Sequence, residues 1–403
     1  MKKQYTFLCV SSYFKGEAFI SACKAAGNKV YLVTSLKLKD EAWPWEDIED
    51  VFYMQEENNG LWNMDHLINA VAFKMRSIHF DRFVALDDFD VEKVAALREQ
   101  FRIPGMGGTT SRYFRDKLAM RVKAKIEGVP VPAFTALFND DDINQYLTEV
   151  SPPWMIKPRS EASAAGIKKV ENAEDFWQHI NELGDERHKY LVEKYAPGQV
   201  FHVDALTYNS KVVFSRVSGY VDAPFDVAHG GGIFRSQTLD FKDASNKALT
   251  ALNKKVLNAF GMEYSASHTE FIRSHETGEY LFLETSSRVG GANLAEMVEC
   301  ASGINLWAEW ARLETAKVRN EDYKAPEDTK NHAGIVVSLS RYEHPDTSRF
   351  QDKELVWRMN KPWHIGLIVK ADNTKKVSKL LENYTKEIAD HYHASAPAPD
   401  TAI

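Results

Sequence analysis

The sequence has only three cysteines, Cys9, Cys23 and Cys300, and they form no paired spacing. Neither a disulfide framework nor a zinc knuckle is supported, and a reducing compartment is expected. It also lacks an excess of positive charge. Fifty Lys and Arg stand against 57 Asp and Glu, and a net charge of −7 provides no global field for nucleic acid or an anionic membrane. No apolar run approaches the roughly 18 residues of a membrane span, and residues 5–10 are too short for a signal-peptide core. A cytoplasmic setting without nucleic-acid or membrane partners is the expectation. Glycine (21) and proline (14) are too few for a collagenous or disordered chain, and no internal repeat is visible.

What is present is a chain of 403 residues, 44% of them hydrophobic, long enough for two to four cores. In the first third, short β-branched or aromatic runs (5–10, 29–34, 83–86) alternate with helix-length amphipathic segments (14–26, 65–77, 90–101). That order predicts a parallel sheet wrapped by helices. It is Rossmann-like, but no G-x-G-x-x-G loop follows the first strand, which argues against a dinucleotide there. A Gly/Thr-rich hinge at 105–111 and a basic helix over 112–127 place a boundary near 113. Strands then dominate (154–157, 166–170, 190–194, 201–207, 211–218, 267–273, 280–285) with helices at 173–183, 244–260 and 292–301, an α+β order. A polar segment at 320–330 precedes a strand at 364–369, a helix at 373–391 and a tail from 394 expected to be disordered. The domains read as 1–113, 114–319 and 320–403.

The segment 267–288 (SHTEFIRSHETGEYLFLETSSR) carries the most chemistry. A hairpin centred on Thr277 sets Glu270 opposite Glu284, an arrangement that is destabilising unless a cation lies between them. Mg²⁺ suits two such hard oxygen ligands, while a lysine partner or solvent for each carboxylate is the plainer reading. Ser286 and Arg288 follow Glu284 at period two on the same face. Arg288 either pairs with Glu284 or stabilises charge on a reacting phosphate. Upstream, Lys157 ends the strand of PPWMIKP, and the small-residue loop 160–165, which holds Ser160 and Ser163, lets backbone amides approach a phosphate. Lys117 lies on the basic helix, Glu193-Lys194-Tyr195-Ala196 ends a strand before Pro197-Gly198, and 220–235 (YVDAPFDVAHGGGIFR) reads as a loop shaped for a ligand.

In chain order, Lys117 before G-V-P-V-P, Lys157-Pro158 with its loop, E-K-Y-A-P-G, E-F-I and E-T-S-S-R-V-G-G resemble the ATP-grasp superfamily over roughly 105–315. The resemblance implies an ATP-grasp fold, two α+β subdomains holding ATP, behind an α/β domain and before a small C-terminal α+β domain. It gives Lys117 and Lys157 the ATP phosphates, and Glu193, Tyr195 and Ala196 the adenine hinge. It gives Glu270 and Glu284 Mg²⁺, with Mn²⁺ as a substitute, and Arg288 the acyl-phosphate. Two positions depart from the family pattern: Ser286 stands where Asn is usual beside the second metal, and Gln199, which can still hydrogen-bond ribose hydroxyls, where an acid often binds ribose.

The implied reaction is activation of a carboxylate by the γ-phosphate of ATP, then attack by an amine. The layout through Gly303-Ile304-Asn305-Leu306 is similar to the L-amino acid ligases and to biotin carboxylase. By that resemblance Asp226 and His229 hold an amine or act on its proton, and Arg288 or Arg235 holds a carboxylate. His202 and His268 are expected to be packed among strands, and Ala292 to leave pocket space. Small-molecule substrates, compatible with a homodimer, are the expected partners. A carboxylase component or a nucleotide-binding scaffold without turnover are the alternatives, although no A-M-K-M-like carrier segment is present.

Overall fold

The computed structural model describes residues 3–57, 60–161 and 165–396, which form three sheets with helices packed on them. The first sheet is parallel, in the order Asp50–Met54, Lys29–Ser35, Thr6–Ser11, Arg82–Ala85. Both faces are covered, as a parallel sheet requires. Phe7, Cys9 and Val30 pack with residues of Glu17–Ala25 and Leu306–Arg319, and Leu8, Val10 and Phe83 with residues of Met64–Met75 and Val91–Phe101. All three cysteines are free thiols. Asp50–Met54 is the strand the sequence does not announce: a short, half-buried edge strand that opens on a charge.

Leu306–Arg319 comes from far downstream to seal this sheet. Phe19 meets Trp310 edge-on with ring centroids 5.0 Å apart. Buried Arg82 reaches Glu314 Oε2 through Nε (3.0 Å) and Tyr264 OH through Nη1 (3.0 Å). The N-terminal unit is thereby fixed against the rest of the chain, and its loops become one wall of a cleft.

The second sheet is antiparallel and nine-stranded: Tyr280–Ser286, Ser265–Ser274, Gly198–Tyr208, Lys211–Tyr220, Phe234–Thr238, His332–Ser340, His364–Ala371, Leu355–Arg358, with His393–Ala394 added to His332–Ser340. Lys117–Ile126 and Ala244–Ala259 cover it with an aromatic core that includes Phe114, Phe260, Phe271 and Phe282. The third sheet, also antiparallel, runs Phe134–Ala136, Tyr190–Lys194, Trp154–Pro158, Lys168–Val170. It is backed by Asp140–Glu149 and Ala173–Leu183.

Several boundaries move for local reasons. The helix expected over 112–127 begins at Lys117 because Asp116 caps it, its carboxylate accepting from the amides of Leu118 (3.0 Å) and Ala119 (3.3 Å). The expected hinge at 105–111 holds a short helix, Gly108–Arg112. The supposed ligand loop at 220–235 contains a helix, Pro224–Gly230, opened by proline at a position where its missing N–H costs nothing. The boundary expected at 319/320 does not separate two sheets. His332–Ser340 pairs directly with Phe234–Thr238, satisfying what would be an open edge, and Thr374–His391 covers the extension. The expected tail starts inside a strand pairing, at Ala394, and 397–403 lie outside the described residues. No helix among the described residues is long and apolar enough to cross a membrane.

Candidate active site

Between the two antiparallel sheets lies a cleft of about 640 Å³, within the range of small-molecule sites. One half is apolar, with Met155, Ile167, Met120, Ile272 and Leu283 in its walls, and the other half is charged.

The charged half is built on the hairpin of Ser265–Ser274 and Tyr280–Ser286. Near the turn the pairing is Phe271 with Phe282, and a bulge between Glu270 and Phe271 shifts it by one, so that Glu270 stands opposite Glu284. A symmetric hairpin without that bulge reaches the same pair from the sequence, but the pairing nearer the turn is one residue out from it. Neither carboxylate is left bare. Lys117 Nζ lies 2.8 Å from Glu284 Oε2 and also donates to Glu161 O (2.6 Å). Glu270 Oε1 accepts from Tyr220 OH (2.7 Å) and faces His268 Nε2 at 3.6 Å. Burial alone would raise the Glu270 pKa, yet His268 and Tyr220 hold it below the ordinary carboxylate value.

His268 belongs to a buried network. Asp204 takes Nδ1 of His202 on one oxygen (2.7 Å) and Nδ1 of His268 on the other (2.8 Å), and His202 Nε2 meets Ser236 Oγ at 2.8 Å. These three side chains are close enough to ligate a metal, but they satisfy one another through hydrogen bonds. Against its burial, the Asp204 charge pushes the His268 pKa up to about 10, and the two histidines hold Asp204 well below the usual range. Gly290 is required here: a Cβ on it would lie 2.8 Å from both Asp204 Oδ1 and His268 Nδ1. The Arg288-Val289-Gly290-Gly291 turn thus rests on this network. Both histidines are packed among strands as expected, but His268 also lines the cleft. Its position two residues before Glu270, on the same face of the strand, is the signal that could have found it.

On the opposite wall, Glu193 is buried between Arg121 (Nε to Oε2, 2.9 Å) and Lys157, which bonds Oε1. Burial works against its charge, but the two cations hold its pKa at about 2. The Glu193 side chain is therefore taken up by cations and is not open to an adenine edge. The amides of Lys194 and Tyr195 are bonded to Ala133 O and Pro153 O (2.8 and 3.0 Å). The Ala196 amide has no partner among the described residues, and Tyr195 and Ala196 both line the cleft.

Arg288 does not pair with Glu284. Its Nε donates to Asp88 Oδ2 (2.8 Å), on the N-terminal unit. This contact holds the buried Asp88 carboxyl at about 2 and raises the Arg288 pKa. Asp88 lines the cleft and nothing in the sequence pattern singled it out.

Of the residues expected at the site, Lys117, Lys157, Glu193, Tyr195, Ala196, Asp226, Glu270, Glu284, Ser286, Arg288 and Ala292 converge on the cleft. Others do not. Gln199 is exposed, and strand alternation turns it away from Val200, which lines the cleft. His229 is exposed, its ring tilted against Phe225 (centroids 4.2 Å apart) with Nδ1 2.9 Å from the Phe225 carbonyl, and is not in the lining. Arg235 is paired with Asp222 (2.5 Å) outside the cleft. Ser160 flanks the lining without joining it, and Ser163 lies outside the described residues.

The donor set fits a divalent cation. Two hard carboxylates face each other, and one is balanced by a lysine that a ligand phosphate can draw away.

The family model described as D-ala D-ala ligase C-terminus matches residues 124–225. The chain is 29% identical over 235 residues to an L-arginine-specific L-amino acid ligase from Bacillus subtilis, covering 57% of this chain and 56% of that protein. It thus spans little more than half the length of that curated relative. Among solved structures, an L-amino acid ligase from Bacillus licheniformis superposes with a TM-score of 0.76 at 16% identity, covering 98% of this chain and 99% of that one. The biotin carboxylase domain of Hydrogenobacter thermophilus 2-oxoglutarate carboxylase, solved with MgADP, ADP and bicarbonate, gives 0.70 at 15% identity, covering 98% and 91%. The two structural likenesses carry the fold, and the sequence matches agree with it. The chain has the fold of these ligase and carboxylase structures, and its residues 124–225 match the D-ala D-ala ligase C-terminus model.

Proposed function

We propose that the protein is an ATP-dependent, ADP-forming carboxylate–amine ligase acting on amino acids or similar small molecules. The observation that carries this reading is the facing pair Glu270 and Glu284, with Lys117 on one side and Lys157 across the cleft. Lys117 and Lys157 meet ATP phosphates, exchanging Glu284 and Glu193 for phosphate oxygens. Glu193 then keeps Arg121, so no bare carboxylate is left in the interior. The apolar half of the cleft takes the adenine, with the Ala196 amide as the open donor. Glu270 and Glu284, with Ser286 beside them, would hold Mg²⁺, which when bound would supply positive charge against the triphosphate. MgADP in a structural relative supports this choice of nucleotide and metal, and Mn²⁺ stands as a substitute.

In the first step a substrate carboxylate oxygen takes the γ-phosphoryl group and ADP leaves. In the second the amine nitrogen attacks the acyl carbon, phosphate departs and the amine loses a proton. The protein contributes positioning and charge. Arg288, released from Asp88 or sharing it, faces the acyl-phosphate, and Asp226 stands on the substrate side. His229 and Gln199 have no part in this scheme. Small-molecule carboxylates and amines in the cytoplasm are the proposed partners, and a homodimer is compatible with it.

A phosphate-release screen over amino acid pairs, with mass spectrometry of the products, tests the reading. ADP together with a new amide is the expected result. ADP formed only with bicarbonate would favour a carboxylase component, the second reading, which the biotin carboxylase likeness supports. No ADP with any mixture would leave a nucleotide-binding scaffold.

A further inference from the structure

Six lysine and arginine side chains line the cleft. Lys117 is held by Glu284, Arg121 and Lys157 by Glu193, Lys194 by the carbonyls of Ser151 and Pro152, and Arg288 by Asp88. Arg115 is the exception. It is 8% exposed, and its guanidinium makes no hydrogen bond or ion pair among the described residues. Its one contact of note is the ring of Phe89, 4.4 Å from centroid to Cζ.

A guanidinium cannot escape burial by losing its proton. Stacking on the Phe89 ring offsets part of that cost but uses none of the N–H donors, none of which is among the buried atoms without a partner, so they are left to the cleft that Arg115 lines. A second observation lies on the same wall. Asp88 Oδ2 takes Arg288, while Asp88 Oδ1 is buried without a partner, and Arg115 lies close enough to help keep Asp88 ionised. The wall between the N-terminal unit and the cleft therefore presents the Arg115 guanidinium to the cleft, beside a buried Asp88 oxygen that also has no partner among the described residues. A ligand carboxylate in the cleft answers the guanidinium.

Building on the ligase reading, we propose that Arg115 is the receptor for a substrate carboxylate that the reaction leaves untouched. The enzyme's substrates then include one with a carboxylate to spare: an amino acid as the amine, whose own carboxylate survives, or a diacid as the group activated. The two arginines nominated by the sequence for such a role are both neutralised, Arg235 by Asp222 and Arg288 by Asp88. Arg115 carries the free fork that binds a carboxylate in two parallel hydrogen bonds.

The test uses a substrate pair accepted by the wild type and two variants. Arg115→Met removes the charge and keeps a stem over Phe89, and Arg115→Lys keeps the charge without the fork. In one arm the amine substrate is replaced by its carboxamide, and in the other a diacid is replaced by its monoacid homologue. In the wild type, removal of the spare carboxylate from one of the two raises KM by roughly 10- to 100-fold, the worth of a charged hydrogen-bonded pair, and the responding arm identifies which substrate carries it. In Arg115→Met that discrimination collapses to within about twofold and the KM for MgATP stays unchanged. If Arg115→Met does not fold, Arg115→Lys carries the same comparison, with discrimination reduced. A rise in the KM for MgATP with substrate discrimination intact would make Arg115 a phosphate residue and overturn the proposal. Discrimination equal to wild type would reduce it to a packing partner of Phe89. No ADP from the wild type with any pair would instead bring down the ligase reading, and this inference with it.

Discussion

Two carboxylate–cation groups face each other across the cleft, and they differ in how tightly they are closed. In the Arg121–Glu193–Lys157 group the side chains of Arg121 and Glu193 are 1% and 2% exposed, and Glu193 uses both oxygens on cations. In the Lys117–Glu284 pair the glutamate is 34% exposed and holds one cation. The first cannot lose its carboxylate without leaving two positive charges in the interior. The second can exchange lysine for a metal at little cost, because solvent already screens it. The difference separates what builds the cleft from what works in it. Lys157 sits at the join: it can leave Glu193 for a phosphate because Arg121 remains.

Breaking the closed group has the largest expected effect. Glu193→Gln leaves Arg121 and Lys157 facing a neutral amide, and loss of one partner from a buried pair costs about 3–5 kcal/mol. Urea unfolding at pH 7 measures it. A loss below about 1 kcal/mol would put Glu193 in the open class and erase the contrast.

Glu284→Gln is the counterpart in the open group. Mg²⁺-dependent ADP formation should fall by roughly 10²–10³-fold, the scale on which loss of one group that stabilises transition-state charge is felt. Unfolding free energy should stay within about 1 kcal/mol of wild type. Normal turnover in the folded variant would remove Glu284 from the metal site.

Acid sharpens the same contrast. The Glu193 pKa falls from 4.5 to about 2 on folding. Its stabilisation, about 3 kcal/mol, is complete above the unfolded value and is lost as the pH falls from about 4.5 through 2. The wild type should therefore lose stability across that window more steeply than Glu193→Gln. Parallel pH–stability curves from denaturant melts would contradict this.

The sequence made the open group legible and left the closed one obscure, for a physical reason. Glu270 and Glu284 lie on one hairpin, where strand period and a short turn set the register locally, and the bulge that adjusts it falls beside Glu270 without unseating the pair. Arg121 and Glu193 come together only when Lys117–Ile126, packed on the second sheet, meets Tyr190–Lys194 of the third, and Asp88 reaches Arg288 only after two units meet. No pattern in one segment encodes those contacts. The fold divides in the same way. Most strands with apolar runs were visible, but the long and largely buried His332–Ser340 was not, nor were Asp50–Met54 and Leu355–Arg358, short edge strands with little burial. Gln199 was placed at the site by motif position, and His229 by the composition of its loop and by resemblance. A local hydrogen bond to Phe225 O and strand alternation took them out of it.

The smallest expected effect concerns Ser286, the residue after Thr285 on the open side and opposite His268 in the hairpin. A hydroxyl is a shorter reach than the amide the ATP-grasp resemblance implies here, so a second metal would be held either through a water on Ser286 or by phosphates and Glu284 without it. Mg²⁺ keeps water readily, so both arrangements preserve activity and weaken metal binding. Ser286→Asn supplies the longer ligand and should lower the Mg²⁺ concentration for half-maximal ADP formation by about two- to fivefold, with kcat nearly unchanged. Isothermal titration of MgADP into the variant gives the same answer without turnover. An unchanged or higher half-saturation would mean that the open group is complete without position 286, and that Glu270 and Glu284 carry the metal unaided.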